Sequence, residues 1–286
     1  MKRAAAINDI SGLGKCSLTA DIAVLSAMGV QVCPVPTGIY TAQTAYPGYI
    51  ARNTADMLPS FEANWSELGE KFDGILTGFL PDAVQADAVF SFVKAFKTSD
   101  TLLLVDPVMA DNGEKYPNNS PMLEKKIKEL AHLADILTPN VSELCILADA
   151  NMNEVLALKG PALLERLEQL AGSAAKEYSS DLVVTGIHLP GDAPGGKRIG
   201  NLVAGEEGTF LVALPASEGS FSGTGDLFAS VLLGGALRGL SRRQTVETAA
   251  EFIRVSVADS VRRGTQPREG IDFEPHLSLL MEAVSR

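Results

Sequence analysis

A glycine-rich turn that carries an aspartate is the strongest chemical signal in the sequence. Residues 222–226 read Ser-Gly-Thr-Gly-Asp and lead directly into an apolar stretch of helical pattern. Glycines let the backbone approach a ligand, and the first amides of a helix are unpaired donors, so the turn predicts an anion hole. Asp226 would then lie beside a bound phosphoryl group and accept a proton from an attacking hydroxyl. The alternative is structural, with Ser222 or Thr224 capping an ordinary helix and Asp226 favouring its positive end.

Further acidic and amide side chains follow two of the predicted strands. Asp106 ends the apolar run 102–105, and Asp111 lies in the loop beyond it. Asn140 and Glu143 stand three residues apart at a predicted helix start, so they can face the same side. Carboxylates near a phosphate site suggest Mg²⁺, which prefers oxygen ligands and keeps several waters. A turn rich in capping residues is the alternative for the first pair, and a helix cap is the alternative for the second.

These side chains are positioned by short apolar runs that alternate with longer helical patterns, which predicts a parallel α/β sheet. The predicted strands are 4–7, 30–35, 74–77, 102–105, 136–138 and 182–185. The predicted helices are 17–28, 83–96, 123–133, 161–178, 225–240, 242–261 and 275–284. Residues 197–214 instead predict an antiparallel hairpin at the sheet edge, turning at 205–208. The sequence shows no internal repeat or linker, so we expect one α/β domain over residues 1–286.

The bulk composition disfavours several classes of function. Lysine and arginine total 24 against 35 acidic residues, and no basic stripe could neutralise a nucleic acid backbone. At a net charge of -11, an anion such as ATP would have to be attracted by local backbone dipoles or a bound cation. Cys16, Cys33 and Cys145 contain no CxxC pair, which fits a reducing cytoplasm. The sequence shows no signal-peptide pattern and no apolar run near the roughly 20 residues of a membrane span, so we expect a soluble, unexported protein.

Three segments resemble the motifs of one family of kinases. Residues 106–113 read DPVMADNG, similar to the DPVMGDxG segment of vitamin kinases, while residues 138–143 match TPNxxE and residues 222–226 match (A/S/G)GxGD. By this resemblance the chain is identified as a member of the ribokinase-like superfamily, in the branch of pyridoxal and hydroxymethylpyrimidine kinases. The resemblance implies a three-layer α/β sandwich with a mostly parallel central sheet. It also implies ATP-dependent phosphorylation of the hydroxymethyl group of a vitamin B6 vitamer (pyridoxal, pyridoxine or pyridoxamine) to the 5′-phosphate.

The resemblance also assigns residues to catalysis, ATP and Mg²⁺. It makes Asp226 the catalytic base, in an anion hole formed by the amides of Gly223, Thr224 and Gly225. The implied ATP-binding residues are Asp106, Asp111, Asn140, Thr185 and Ser222. The implied Mg²⁺ ligands are Asp106, Asn140 and Glu143. Residues 111–116 would form a flap over the site, and the alternative for Thr185 is an ordinary strand-ending threonine.

The acceptor would bind where the chain leaves its first strand. By resemblance, Asp9 and Ser11 begin this pocket, and Asp9 stands where many pyridoxal kinases have serine. Its carboxylate could bond a protonated pyridine nitrogen or the ring hydroxyl, while Thr44 would contact ring substituents. Tyr46 and Phe79 offer flat apolar walls for an aromatic ring. The alternatives are helix capping for Asp9 and Ser11 and core packing for the two aromatic residues.

Other functions within and outside the superfamily stay open at this point. Hydroxymethylpyrimidine is the first alternative acceptor and a sugar is the second. A non-catalytic nucleotide-binding regulator on the same scaffold is a more remote alternative. By analogy with relatives we expect a homodimer, and the sequence leaves open whether a monovalent cation is needed.

Overall fold

The computed structural model alternates strands and helices along the chain and describes residues 1–191, 196–206, 208–217 and 219–285. The strands are β1 (Lys2–Ser11), β2 (Val30–Tyr40), β3 (Ala51–Asn53), β4 (Gly74–Thr77), β5 (Leu102–Val105), β6 (Ala110–Asp111), β7 (Glu114–Lys115), β8 (Ile136–Leu137), β9 (Asp181–Pro190), β10 (Lys197–Gly205) and β11 (Gly208–Pro215). The helices are α1 (Ser17–Ala27), α2 (Leu58–Glu67), α3 (Ala83–Phe96), α4 (Pro121–Ala131), α5 (Val141–Leu147), α6 (Met152–Ala157), α7 (Gly160–Tyr178), α8 (Thr224–Leu237), α9 (Arg242–Arg263) and α10 (Leu277–Val284). Short 3₁₀ turns occupy Pro267–Glu269 and Glu274–His276.

The main sheet has the strand order β11-β10-β9-β8-β5-β4-β1-β2-β3. Its central strands, from β9 through to β2, pair in parallel, whereas β10, β11 and β3 pair antiparallel with their neighbours. Carboxyl ends of parallel strands meet at one edge, where ligands of open α/β sheets gather. The predicted edge hairpin is confirmed as β10–β11, with Gly205 opposite Gly208. Glu207, in the predicted turn, lies outside the described residues.

Helices cover both faces of the sheet and bury a separate apolar core on each. Successive residues of the central strands point to opposite faces, so Leu103 packs in one core and Leu104 in the other. The first core is covered by α3, α4, α5 and α7, and the second by α1, α8, α9 and α10. Burial on both faces explains why β5 is a purely apolar run. The predicted sandwich of helix, sheet and helix layers is confirmed.

The first strand is longer than predicted, and its extension carries polar side chains. β1 runs on beyond Ile7 to Ser11 because these residues pair with β2. The pairing register shifts between Asn8 and Ile10, where Asp9 lies opposite two residues of β2, Thr37 and Gly38, so β2 bulges opposite Asp9. Bulges redirect side chains and often lie next to active sites. The acidic residue at the predicted pocket is therefore placed by an irregularity that no apolar pattern indicates.

Strand β9 also exceeds its prediction. It continues past Thr185 to Pro190 because β10 pairs antiparallel with it. Gly186 adopts φ +70° at the point where the register of this pair shifts. Only glycine adopts such a conformation readily, so the bulge follows from the residue type. The short elements β3, β6, β7, α2 and α6 were not predicted, since few residues in each point toward a core.

No helix in the described part of the chain is both long enough and apolar enough to cross a membrane.

Candidate active site

The glycine-rich turn leads into α8 without a side-chain cap. Gly223 occupies the N-cap position with φ +84°, and a Cβ there would collide with the backbone oxygen of Lys15. Among the residues described, no side chain bonds to the first amides of α8 from its N-cap. Thr224 instead donates to the carbonyl of Phe221 at 3.4 Å, so the predicted capping alternative is not realised. The turn therefore presents backbone donors suited to an anion.

Asp226 lies at the N-termini of two helices. It belongs to the first turn of α8, and its Oδ2 accepts a hydrogen bond from the backbone N–H of Ser17, the first residue of α1, at 2.9 Å. Asn8 donates to its Oδ1 at 3.0 Å. Burial, with a smaller contribution from the charge of Asp9, raises the pKa of Asp226 to about 6 against the opposing effect of these hydrogen bonds. A carboxylate with a pKa near neutrality suits a general base.

Asp106 faces the same turn from the carboxyl end of β5. Its Oδ1 accepts a hydrogen bond from the hydroxyl of Thr138 at 3.0 Å, and its Oδ2 would lie 3.6 Å from a Cβ built on Gly225. Burial raises the pKa of Asp106 to about 7, and the charge of Asp226 adds to the rise. The two carboxylates therefore repel each other across the anion hole, and a cation would relieve this repulsion.

Asn140 and Glu143 form the capping box that the sequence left as an alternative. Asn140 Oδ1 accepts from the amides of Ser142 and Glu143 at 2.8 and 3.0 Å, and Glu143 accepts from the amide of Asn140 at 2.9 Å. The other oxygen of Glu143 accepts from the amide of Met109 at 3.0 Å. Glu143 is also buried, and burial and the charge of Asp106 raise its pKa well above the usual range. The pair therefore caps α5 and adds a carboxylate beside Asp106.

These acids fit Mg²⁺ held through water and nucleotide rather than in a protein cage. Within residues 1–191, 196–206, 208–217 and 219–285, no group of three or more His, Cys, Asp or Glu side chains could enclose a metal. Mg²⁺ commonly uses one or two carboxylates together with waters and substrate phosphates. Asp106 and Glu143 meet this requirement, since the charge of Asp106 adds to burial in raising the pKa of Glu143 and a cation would relieve this repulsion.

The hairpin of β6 and β7 extends over this region. Asn140 Nδ2 donates to the carbonyl of Ala110 at 2.7 Å, which ties the hairpin to the start of α5. Asp111 is exposed and bonds within its own turn, accepting from the amide of Asn112 at 2.9 Å. Burial and then the charges of nearby acids, Glu143 foremost, raise the pKa of Tyr116. The hairpin thus brings the hydroxyl of Tyr116 toward the acids, whereas Asp111 stays at the rim.

Two further predicted ATP residues lie at the same edge. Thr185 pairs with Asn140 in a parallel bridge, and its amide donates to the carbonyl of Pro139 at 2.9 Å. Ser222 precedes the anion hole, and its hydroxyl lies 3.5 Å from the side-chain nitrogen of Gln43. Both are part-exposed. Their positions therefore allow contact with a nucleotide phosphate.

The predicted acceptor pocket is realised only in part. Asp9 is buried and accepts a hydrogen bond from the hydroxyl of Ser11 at 3.0 Å, and burial raises its pKa. Phe79 packs edge-on against Tyr40 with ring centroids 6.2 Å apart. Burial raises the pKa of Tyr40 to about 12, and Asp9 has the largest effect among nearby charges. An aromatic wall therefore stands beside the Asp9 carboxylate, and Tyr40 was not among the predicted residues.

In the loop after β2, the ring of Tyr46 contacts Arg268, whereas Phe79, the other predicted aromatic wall, contacts Tyr40. Tyr46 stacks under the guanidinium of Arg268 at 5.1 Å and shares no ring contact with Phe79 among the described residues. Thr44 is exposed. The buried residues of the loop are Ala42 and Gln43, and the side chain of Gln43 donates to the carbonyl of Arg268 at 2.7 Å. The assignments of Thr44 and Tyr46 to the acceptor remain predictions.

Comparison with known proteins shows the family. The family model for phosphomethylpyrimidine kinase matches residues 13–269. The chain belongs to this family. The resemblance to ribokinase-like vitamin kinases is thereby confirmed.

The curated relatives of this chain carry two kinds of name, pyridoxal kinase and thiamine biosynthesis protein. Pyridoxal kinase PdxY of Rubrobacter xylanophilus is 26% identical, over 88% of this chain and 86% of its own. A provisionally assigned pyridoxal kinase of Schizosaccharomyces pombe, C18.10, is 31% identical over 58% of this chain and 46% of its own. Thiamine biosynthesis protein THI22 of Saccharomyces cerevisiae is 28% identical over 86% of this chain and 42% of its own. The matched regions thus span less than half of the last two curated relatives.

A solved structure agrees over almost the whole chain. A Bacteroides thetaiotaomicron protein, provisionally assigned as a phosphomethylpyrimidine kinase and crystallised with pyridoxal, has a TM-score of 0.87 and 32% identity. The match covers 98% of this chain and 95% of the other. The predicted ribokinase-like fold is confirmed.

The substitution Gly223→Ala should disturb the predicted anion hole more than it disturbs the fold. The variant needs φ near +84° and a Cβ in the space of the Lys15 carbonyl, so the turn must move. We expect the free energy of unfolding to fall by about 1–3 kcal/mol. We expect kcat to fall by about 10²-fold, the usual effect of losing an oxyanion donor. Denaturant unfolding and steady-state kinetics check both numbers. Gly239→Ala, at φ +81° with open space around it, is the control for backbone strain alone.

Proposed function

We propose that the chain is an ATP-dependent kinase that phosphorylates the hydroxymethyl group of a vitamin B6 vitamer to the 5′-phosphate. One observation carries the proposal, namely the Asp226 carboxylate held beside an uncapped, glycine-rich helix start. Family membership and the pyridoxal-bound relative support the choice of acceptor. Asp9 and the Tyr40–Phe79 wall suit a flat ring with a hydrogen-bond donor.

In this mechanism Asp226 accepts the proton of the hydroxymethyl group as its oxygen attacks the γ-phosphorus of ATP. The P–O bond to ADP breaks, and the new P–O bond forms on the acceptor. Charge on the transferred group is met by the amides of Gly223, Thr224 and Gly225. The hairpin of β6 and β7, which carries Tyr116, would exclude water from the bound phosphates.

The metal and nucleotide residues follow from the same geometry. Mg²⁺ would be held by Asp106, Asn140 and Glu143 through water, and it would neutralise phosphate charge when bound. Support comes from the raised pKa values of Asp106 and Glu143, which a cation would lower. Thr185, Ser222 and Asp111 are proposed to contact ATP. The side chain of Asn140 would contribute through water while also holding the shape of the site, since its Nδ2 donates to the carbonyl of Ala110 and its Oδ1 accepts from two backbone amides.

Hydroxymethylpyrimidine is the second candidate acceptor. The family's description and the likeness to THI22 favour it. A sugar has less support, since the aromatic wall beside Asp9 offers few partners for ring hydroxyls. A non-catalytic regulator would be expected to lack the base or the metal-site acids, and this chain has all of them.

A panel of acceptors tests the proposal. ATP consumption is measured with pyridoxal, pyridoxine, pyridoxamine, hydroxymethylpyrimidine and ribose, with the Asp226→Asn protein as the control for contaminating kinases. We expect kcat/KM for at least one B6 vitamer to exceed that for hydroxymethylpyrimidine by about tenfold or more. The reverse order would replace the acceptor, and no ATP consumption with any compound would favour the regulator.

The rate should rise with pH and then level off. Asp226 must be deprotonated to accept the hydroxyl proton, and burial raises its pKa to about 6 and that of Asp106 to about 7. Both groups lose their protons as pH increases through these values, so kcat/KM should be low at the acidic end and constant on the alkaline side. A profile from about pH 5 to 9 at fixed ionic strength checks this. A rate that decreases as pH rises from 5 to 7 would contradict it.

Domain organisation, cellular location and oligomeric state are also part of the proposal. We propose a single kinase domain over residues 1–286, in the cytoplasm, where its free cysteines Cys16, Cys33 and Cys145 stay reduced. We also propose a homodimer, since Ile39, Tyr49 and Ile50 expose apolar surface near β3. Small molecules are the expected partners, and sedimentation of the purified protein tests the dimer.

A further inference from the structure

Asn8 joins the proposed base to a buried carboxyl group that the mechanism above does not use. Its Nδ2 donates to Asp226 at 3.0 Å and to Asp21 on α1 at 3.1 Å. Ser230 on α8 donates to the other oxygen of Asp21 at 2.8 Å. Asn8 is 1% exposed, and Asp21 and Ser230 are 0% exposed. The proposed base, itself part-buried, is thus one end of a hydrogen-bond chain whose other members, Asn8, Asp21 and Ser230, are buried.

The amide of Asn8 is fixed from its oxygen side as well. Its Oδ1 accepts from the amides of Asp9 at 3.1 Å and Phe79 at 2.9 Å. An asparagine side chain has two N–H donors and two acceptor lone pairs, so its capacity is filled. Reversing the amide would place its oxygen against two carboxyl groups, which fixes the orientation chemically. Gly78 packs so closely on this amide that a Cβ there would collide with it.

Asp21 is a fully buried carboxyl group in the apolar core between α1 and α8. The residues around it on α1 and α8 are mostly apolar. It lies within range of the charge of Asp226, and no basic side chain pairs with it among the described contacts. Burial and the charge of Asp226 raise the pKa of Asp21 well above its usual range. A buried carboxyl of this kind costs stability relative to an apolar side chain. We therefore attribute to Asp21 the role of holding the side chain of Asn8.

We propose that Asn8, anchored by Asp21, is a positioning residue that fixes the rotation of the Asp226 carboxylate toward the acceptor hydroxyl. Ser17 holds one oxygen of Asp226 through its backbone, and Asn8 holds the other. With both oxygens held, the carboxylate keeps one orientation when the hydroxyl proton arrives. The consequence for catalysis rests on the proposed function, whereas the buried hydrogen-bond chain does not.

Two substitutions at Asn8 and two at Asp21 test this inference. Asn8→Asp keeps the acceptor for the amides of Asp9 and Phe79 and retains at most one donor, when its carboxyl group is protonated, whereas Asn8→Leu loses all four bonds. We expect kcat to fall by about 10- to 100-fold in both, the effect of losing a hydrogen bond to a charged group. The KM for ATP should stay within about threefold in both variants, and the KM for the acceptor should do so in Asn8→Asp, which keeps the bonds to the amides of Asp9 and Phe79. Asp21→Leu should lower kcat more than Asp21→Asn, which keeps an acceptor for Asn8.

The control is Thr101→Val, which removes a buried hydrogen bond of 2.9 Å to the carbonyl of Phe72 at the opposite edge of the sheet. It should lower stability without changing kcat. If folded Asn8→Asp and Asn8→Leu keep native kcat, the inference is wrong. It is also wrong if their kcat losses merely follow stability, as a comparison with Thr101→Val would show.

A second readout does not depend on turnover. Solvent exchange of the Asn8 side-chain amide, followed by NMR, should be slow in the native protein and about tenfold faster or more in Asp21→Leu. Rapid exchange in the native protein would overturn the positioning role whatever the kinetics. If the native protein consumes no ATP with any acceptor while this amide is protected, the proposed function fails and the buried chain stands.

Discussion

Asp226→Asn is expected to lower kcat by about 10²- to 10⁴-fold, the range for removing a general base. The asparagine keeps the shape of the side chain, and its oxygen can still accept from the amide of Ser17. It cannot take the proton of the acceptor hydroxyl. ATP is proposed to contact the turn amides and not this carboxylate, so its affinity should change little. Steady-state kinetics at saturating ATP and calorimetric titration with a non-hydrolysable ATP analogue measure the two quantities.

The same variant should be nearly as stable as the native protein, because two effects oppose each other. Its N–H₂ group would face the side-chain donor of Asn8, which costs stability, whereas its neutral side chain avoids the cost of a buried charge. A carboxyl group whose pKa is raised on folding binds its proton more tightly in the folded state, so its contribution to stability is lost as pH rises through the raised value. Burial raises the pKa of Asp226 to about 6, so at pH 7.5 the charged group costs stability that a neutral asparagine does not. Loss of activity with a Tm close to that of the native protein is the expected combination. Near-native kcat would exclude Asp226 as the base, and lost ATP binding with a lower Tm would make it structural.

The sequence predicted best those elements whose residues are buried by a regular pattern. β5 and β4 were predicted with their correct bounds because each is a short apolar run between two helix layers. The polar end of β1 carries no such pattern, since its residues pair with β2 while facing the site. The bulge in β2 opposite Asp9 depends on how two strands are aligned, which a single strand's sequence does not specify.

Spacing alone predicts a helix cap but not a metal site. The pattern Asn-x-x-Glu starts both α5, with Asn140 and Glu143, and α6, with Asn151 and Glu154. In each case the asparagine accepts hydrogen bonds from the amides of the first turn. Glu143 is buried beside Asp106 because α5 follows β8, the neighbour of β5, whereas Glu154 is exposed. Strand order, and not the motif, gives one of these two glutamates its chemistry.

Contacts between residues far apart in the chain are a further feature that the sequence alone does not predict. The hydrogen bond from Asn8 to Asp226 joins residues 218 positions apart, and the bond from Ser230 to Asp21 joins residues 209 apart. Neither asparagine nor serine has a local pattern that marks such a partner. The family resemblance predicted a base and metal-site acids, whereas the side chains that hold the proposed base depend on how α1 and α8 pack together.

Glu143→Gln is expected to raise the Mg²⁺ concentration for half-maximal rate by about 10- to 100-fold, the usual effect of altering a group that supports a metal site. The two carboxylate oxygens accept separately from the amides of Met109 and Asn140. Glutamine has a single oxygen, so its own N–H₂ group would face one of these donors. We therefore also expect the free energy of unfolding to fall by about 1–3 kcal/mol. Mg²⁺ titration of the initial rate and denaturant unfolding measure the two effects.

Glu154→Gln is the matched control, since it alters the same capping pattern at an exposed position on α6. Its stability should change by less than about 0.5 kcal/mol, as is usual for surface positions, and its Mg²⁺ dependence should be native. The comparison separates the two roles of Glu143, because only the loss of charge beside Asp106 can weaken the hold on a cation. If Glu143→Gln loses stability but keeps the native Mg²⁺ dependence, then Glu143 anchors Met109 and the start of α5 and takes no part in binding metal.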